Sequence, residues 1–442
     1  MKILVALIAF FCLVNAASDS VVSLPGIGAM KTNTYSGFLP TSNTSDGFLY
    51  YFFVESFNKL TDPVILWLQG GPGCGSTFGA FVENGPYIID GEGNWSFNQW
   101  NWARNASMLW IDNPVGSGFS YTTDNKYDHT EKVISEQLVH VLEGFFSLHN
   151  EYANNPFYVF GESYAGKYVP WLAKTILSQG LIDKSILYNS SLHINGIGLG
   201  DGWVSPVLQT PTNHQYLYKM NRISLAEKEA SDIFVGKYLD LLMQNEYIKA
   251  SKYDNSWARI LCLQGNVSNP YNINQPYDFS DPPNNAMIAW FSNQDVRNAL
   301  NVPNANFSSG RNAYNALNHD EEKNALPELS YVVDRIPVLL YNGHLDFVCN
   351  YIGTKMYASV MNWTGRSGYN RQKEKSWSLS TGQKAGYYQS YGNLTRLVLY
   401  NTGHIAPFDS PQATFEMLYN WINSAFGLIF DRSRGLIMHQ HN

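Results

Sequence analysis

The segment Gly161-Glu162-Ser163-Tyr164-Ala165-Gly166 sets a serine among small residues, directly after the apolar run Phe157–Phe160 and before a helix-like stretch from Lys167 to Gln179. Small residues at such a strand-to-helix turn permit a tight, strained backbone that lifts a hydroxyl above a sheet edge. To act as a nucleophile, that hydroxyl needs a base, an acid to orient the base, and donors for the oxyanion. Two later turns offer the first two. Tyr341-Asn342-Gly343-His344-Leu345-Asp346 follows the run Val338–Leu340 and supplies Asp346, while Asn401-Thr402-Gly403-His404 follows Leu397–Tyr400 and supplies His404. The chain order serine, acid, histidine suits His404 as the base that takes the Ser163 proton and Asp346 as the group that holds its tautomer. His344 precedes the acid and reads as an ordinary loop histidine.

Two backbone N–H groups must converge on the oxyanion. Tyr164, next after the nucleophile, is one candidate. Gly70-Gly71-Pro72-Gly73 follows the apolar run Val64–Leu68 and offers Gly71 as the other, because Pro72 has no N–H to give. Glu162 beside the nucleophile is an odd neighbour unless the site binds another carboxylate. Gly196–Gly202 is also glycine-rich, but its spacing does not match a dinucleotide loop and it reads as a strand-end turn near the site. No cofactor is expected. No Cys/His cluster has metal-ligand spacing, so no metal is expected either.

These turns need elements to hold them. Phe48–Glu55, Val64–Leu68, Met108–Ile111, Tyr158–Phe160, Ile194–Gly198, Pro337–Tyr341 and Leu397–Tyr400 read as strands, with helical patterns at Lys132–Leu148 and Thr414–Phe426. Continuous apolar strands alternating with helices predict an α/β class, a mostly parallel sheet covered on both faces, with ligands bound beyond the carboxyl ends of the strands. Combined with the serine turn, this predicts an α/β-hydrolase fold. The expected division is a signal peptide over 1–16, a core over 17–203 and 331–442, and a largely helical cap inserted over 204–330. Within the cap, Leu225–Tyr247 reads as one long amphipathic helix, followed by an aperiodic stretch, Asn266–Asn285. The segment Val21–Lys31 reads equally as a propeptide or as the start of the mature chain.

The chain has 442 residues, a net charge of -7 and no basic run, which argues against nucleic acid as a partner. Ile3–Val14 followed by Ala16-Ala17 reads as a cleaved secretory signal too short to span a bilayer, and no later stretch is a membrane span. The expected destination is secretion or a lysosomal or vacuolar compartment. Sequons at Asn43, Asn94, Asn105, Asn189, Asn266, Asn306, Asn362 and Asn393 agree with that route and are the glycosylation candidates. Loss of Cys12 with the signal leaves Cys74, Cys262 and Cys349, enough for one disulfide at most.

Taken together, Tyr35-Ser36-Gly37, Leu66–Cys74, Glu83-Asn84-Gly85-Pro86, Asp112–Ser120, Gly161–Gly166, Asn342–Asn350 and Gly403-His404 make the chain resemble the serine carboxypeptidase family over nearly all of the mature sequence. The form Trp67-Leu68-Gln69-Gly70-Gly71-Pro72-Gly73 and the later Phe81–Tyr87 are most similar to its vitellogenic-like branch. The resemblance implies an exopeptidase that releases C-terminal residues from peptides or proteins through a Ser163 acyl-enzyme. It also implies that Trp67, Gln69, Glu83 and Glu162 hold the substrate's terminal carboxylate. Gln69 departs from the family's usual asparagine; it keeps an amide donor, set one methylene further out. Two close carboxyls cannot both ionise cheaply, so a shared proton would greet the substrate carboxylate, which predicts activity favoured in acid. Competing readings are an acyltransferase or esterase on the same fold, and a catalytically silent secreted binding protein. Members of the family are often dimers, so a homodimer is the analogy's expectation. The family pairs Cys74 with a cysteine that is missing from Asn306–Arg311 here; a Cys74–Cys262 bridge stays open, and Cys349 matches a free cysteine near the triad acid.

Overall fold

The computed structural model describes residues 19–43, 46–179, 192–276 and 281–423. The N-terminal apolar segment, Cys12 and the Asn189 sequon lie outside them. An 11-stranded sheet organises the rest. In chain order its strands are β1 (Thr34–Pro40), β2 (Gly47–Val54), β3 (Val64–Leu68), β4 (Ser107–Ile111), β5 (Tyr121–Thr122), β6 (Phe157–Glu162), β7 (Ile194–Gly200), β8 (Val338–Gly343), β9 (Lys375–Ser378), β10 (Lys384–Tyr391) and β11 (Leu394–Leu399). They lie in the order β5-β2-β4-β3-β6-β7-β8-β11-β10-β9, with β1 on β2. From β4 to β11 every neighbour pair is parallel, and antiparallel pairs flank this centre on both sides.

The apolar runs are continuous because the sheet is buried on both faces. Leu49, Tyr51 and Phe53 of β2 enter one core and Tyr50, Phe52 and Val54 the other; Val64, Leu66 and Leu68 of β3 likewise part from Ile65 and Trp67. Helix α1 (Glu131–Leu148) is capped at Thr130 and lays Ile134, Leu138, Val141, Leu142 and Phe145 on the first core, beside α2 (Ala165–Gln179). The helix Pro411–Asn423 covers the opposite face with Met417, Leu418 and Trp421. The N-terminal Ser23–Leu24 pairs with Gly28–Ala29, and Val21 and Leu24 are buried in this second core. That segment is therefore an integral part of the fold.

Between β7 and β8 the chain is mainly helical, and here the structure corrects two sequence expectations. Leu225–Tyr247 is not one helix: α3 (Leu225–Ala230) and α4 (Asp232–Met243) meet at Ser231, and α5 (Tyr247–Gln264) starts after a further break. Ser224 and Glu227 form a reciprocal capping box that sets the start of α3, and Asn245 at φ +57° ends the run. Apolar periodicity registers neither stop. The stretch after Asn266 is irregular as far as residue 276, but from Asp281 it forms α6 (Asp281–Phe291). No helix among the described residues is long and apolar enough to cross a membrane. Asn43, Asn94, Asn105, Asn266, Asn306 and Asn362 are exposed, whereas Asn393 is half-buried and its Nδ2 donates to the Val333 carbonyl at 3.0 Å.

The fold buries several carboxyl groups. Burial pushes Glu131, at the start of α1, up to about 8, and neither of its oxygens has a hydrogen-bond partner among the described residues. Asp112 is pushed by burial up to about 6, although it accepts from Thr77 N and Phe119 N. Asp254 and Glu322 are raised by burial as well. Each raised carboxyl binds more protons folded than unfolded at pH values between its unfolded and folded pKa, so its contribution to stability is lost as pH rises through the folded value. Lys167, lowered by burial, acts in the opposite sense only at higher pH. The calorimetric midpoint is therefore expected to fall between about pH 5 and about pH 8. A midpoint that climbs across this interval would contradict the assignment.

Candidate active site

Strand β6 ends at Glu162, and the chain turns at Ser163 with φ +60°, a left-handed conformation that a non-glycine residue adopts only under constraint. The constraint is visible. Ser163 N donates to the Gly200 carbonyl at 3.0 Å, and the Ser163 carbonyl accepts from Gly166 N at 2.9 Å and Trp203 N at 2.8 Å. Ser163 is half-buried while Glu162 and Tyr164 on either side are buried, so the hydroxyl-bearing residue is the one left accessible.

Asp346, on the turn after β8, is wholly buried; its Oδ1 accepts from Val348 N at 2.7 Å and its Oδ2 from Cys349 N at 3.1 Å. His404 Nδ1 lies 3.0 Å from the same Oδ2, which leaves Nε2 as the nitrogen free to serve a hydroxyl. The His404 turn is also tied to the helical region. His404 N donates to the Tyr271 carbonyl at 2.6 Å, and Asp409 Oδ2 accepts from both Gly403 N at 2.6 Å and Asn272 Nδ2 at 2.8 Å. The Tyr271 ring, 45 % exposed, lies 5.2 Å from the imidazole and walls the site. His344 instead stacks on Tyr351 at 5.0 Å. Its role is packing.

The turn after β3 abuts the serine turn. A Cβ at Gly70 would stand 2.5 Å from Tyr164 N and 2.7 Å from Ser163 Cβ, so only glycine lets these backbones meet. Gly71 N and Tyr164 N have no acceptor among the described residues.

Beyond the serine lies an acidic group. Trp67 Nε1 donates to Gln69 Oε1 at 2.9 Å, and this turns the amide so that Gln69 Nε2 donates to Glu162 Oε1 at 3.1 Å. Trp67 thus reaches Gln69 and positions it, rather than pointing its N–H at open space. Gly79 lets the helical turn Gly79–Glu83 close on the indole, since a Cβ there would lie 2.4 Å from Trp67 Nε1. That turn delivers Glu83 to Glu162. Neither Glu83 oxygen nor Glu162 Oε2 meets a donor among the described residues. Burial raises Glu83 to about 8, and burial together with the Glu83 charge raises Glu162 well above the carboxylate range.

Two neighbours carry more weight than their sequence context suggested. Asp201, in the turn read only as a strand end, is wholly buried against Asp346; Asp409 binds the His404 turn to the helical region. Their place after parallel strands at the carboxyl edge is the one signal that could have singled them out. Cys74, Cys262 and Cys349 are free thiols, and the Asn306–Arg311 segment is held instead by pairing of Ser308–Ser309 with Ser117–Gly118. Asp346, Cys349 and His404 each bring a polar atom within 4.8 Å of the others, but burial keeps the Cys349 thiol far above its usual range and hence neutral.

Comparison with known proteins agrees with this architecture. A sequence model of the family described as serine carboxypeptidase matches residues 25–424. Serine carboxypeptidase-like 47 of Arabidopsis thaliana is 32% identical over 427 residues, spanning 92% of this chain and 82% of its own. The probable serine carboxypeptidase CPVL of Mus musculus is 34% identical over 406 residues, spanning 89% and 83%. Among solved structures, that of KEX1(delta)p, a prohormone-processing carboxypeptidase from Saccharomyces cerevisiae, superposes with a TM-score of 0.79 over 89% of this chain and 92% of its own at 22% identity, which establishes the shared fold. With an α/β-hydrolase sheet, a serine turn and a family match across almost its whole length, this chain belongs to the serine carboxypeptidase family of hydrolases.

Proposed function

We propose that the protein removes C-terminal residues from peptides in acid, through an acyl-enzyme on Ser163. The observation that carries this reading is the buried Gln69–Glu162–Glu83 group adjoining the nucleophile. A protonated pair, with the Gln69 amide, offers hydrogen bonds to a terminal carboxylate; the ionised pair repels it. A substrate anchored there sets its last peptide bond over Ser163. His404 then takes the Ser163 proton as the hydroxyl attacks, Asp346 orients the imidazole, and the Gly71 and Tyr164 N–H groups receive the oxyanion. His404 returns the proton to the departing amine, and water, activated by the same imidazole, releases the acyl group. The helical region 204–330 serves as a cap, with Tyr271 as its contact with His404. The N-terminal apolar segment and the exposed sequons favour the secretory route, with secretion or a lysosomal or vacuolar compartment as the destination.

Three experiments test this. At acid pH a blocked dipeptide should lose its last residue, its C-terminal amide should turn over far more slowly, and Ser163→Ala should reduce the rate by at least about 10^4-fold. Equal turnover of acid and amide would refute the clamp, and transfer of the acyl group to an alcohol in preference to water would favour acyl transfer. KM for the free acid should rise from acid towards alkaline pH, because burial and mutual repulsion keep Glu83 and Glu162 protonated below their raised values and they lose the proton above them. The double variant Glu83→Gln/Glu162→Gln should flatten that dependence. Finally, Gly70→Ala should lower kcat about 100-fold by displacing the oxyanion donors; undiminished kcat would remove Gly71 and Tyr164 from the role.

A further inference from the structure

Asp201 stands at the carboxyl end of β7 with φ +45°, its N–H on the Tyr341 carbonyl at 2.8 Å. Its Oδ1 accepts from Gly343 N at 2.9 Å and from Asn342 Nδ2 at 3.4 Å. Its Oδ2 is buried without a donor, and the Asp346 carboxyl lies within hydrogen-bonding reach. Both side chains are 0% exposed. Two ionised carboxylates in contact at such a site are prohibitively costly, so one of them holds a proton. Asp346 already accepts from Val348 N, Cys349 N and His404 Nδ1 and is the better anion. The proton therefore belongs on Asp201 Oδ2.

We propose that Asp201 is a positioning residue which, held as a neutral acid, donates a hydrogen bond to Asp346 and so keeps the Asp346–His404 couple working at low pH. A donor on Asp346 withdraws negative charge from the oxygen facing His404. The imidazole is then bound less tightly in its protonated form and is free to act as base in more acid solution. Among the titratable groups near the couple, Asp409 opposes this effect when ionised, since its charge attracts a protonated His404; Glu162 from β6 further raises Asp201, and burial keeps Tyr341, Tyr216 and Cys349 neutral. Burial first, and then the Asp346 charge, raise Asp201 well above the carboxylate range, in accord with the geometry. The left-handed backbone is the strain accepted to aim this acid.

The inference rests on the triad of the proposed function and not on the carboxylate clamp, so the probe is one that needs no terminal carboxylate: the rate of Ser163 labelling by a fluorophosphonate, followed against pH. Asp201→Asn keeps a neutral donor in the same shape and should leave the acid-side half-point of the profile within a few tenths of a unit of wild type. Asp201→Ala should move that half-point up by about one pH unit, about a tenfold loss of rate on the acid limb. Coincidence of Asp201→Ala with wild type, or an equal shift in both variants, would overturn the proposal. Should Asp201→Ala not fold, infrared difference spectra of wild type and Asp201→Asn decide it: loss of a protonated-carboxyl band supports a neutral Asp201, and loss of a carboxylate band excludes it. Labelling without peptide turnover would defeat the exopeptidase reading alone; no labelling of the wild type would defeat the triad and this proposal together.

Discussion

Glu83, Glu162, Asp201, Asp346 and Asp409 form one chain of neighbouring carboxyls that ends at the His404 imidazole, and among the described residues none of them pairs with a lysine or arginine. Like charges at this separation, away from water, cannot all be ionised. The site must retain protons well above the pH at which free carboxyls lose them. That requirement organises the chemistry. In the proposed function one retained proton serves Glu83 and Glu162, where a substrate carboxylate would be met, and in the further proposal another serves Asp201 and Asp346, behind His404. The first bears on binding and the second on the basicity of His404. The acid preference proposed above would thus have two separable physical sources within a single cluster.

Holding five acids together is a task for the sheet. β6, β7, β8 and β11 run parallel and adjacent, so the turns that follow them carry Ser163, Asp201, Asp346 and His404 to the same edge. Close approach then completes the site. Gly70 admits the turn after β3 against Tyr164, and Gly79 admits the helical turn that carries Glu83. Side chains in these places would separate the parts without altering a single reacting group. The same tolerance of buried acid extends to Glu131 and Asp112 elsewhere in the molecule.

Most of the central sheet was legible in the sequence, because strands buried on both faces announce themselves as short apolar runs and because each run ends in glycine or polar residues. The antiparallel margin was less so: Lys375–Ser378 and Lys384–Tyr391 mix charge with aromatic residues and have no clean period. The helical region misled at Leu225–Tyr247, where a serine and a left-handed asparagine interrupt an apolar pattern that continues through them. Trp67 shows the limit for a single residue. Its presence beside the glycine turn is plain from the chain, but the direction of its indole N–H depends on where Gln69 lies.

By itself, the amino-acid order determined which reactive groups the chain owns, the succession of serine, acid and histidine on strand-end turns, and the class of sheet that carries them. These are local matters, settled by periodicity and turn chemistry within a dozen or so residues. The family resemblance paired Glu83 with Glu162, but only tertiary structure decided that Asp201 lies against Asp346. Glu83 meets Glu162, and Asp201 meets Asp346, across long stretches of intervening chain, and the energy of such a contact depends on distance through space and on the exclusion of water. Neither quantity is written along the chain; both arise when the strands are laid side by side.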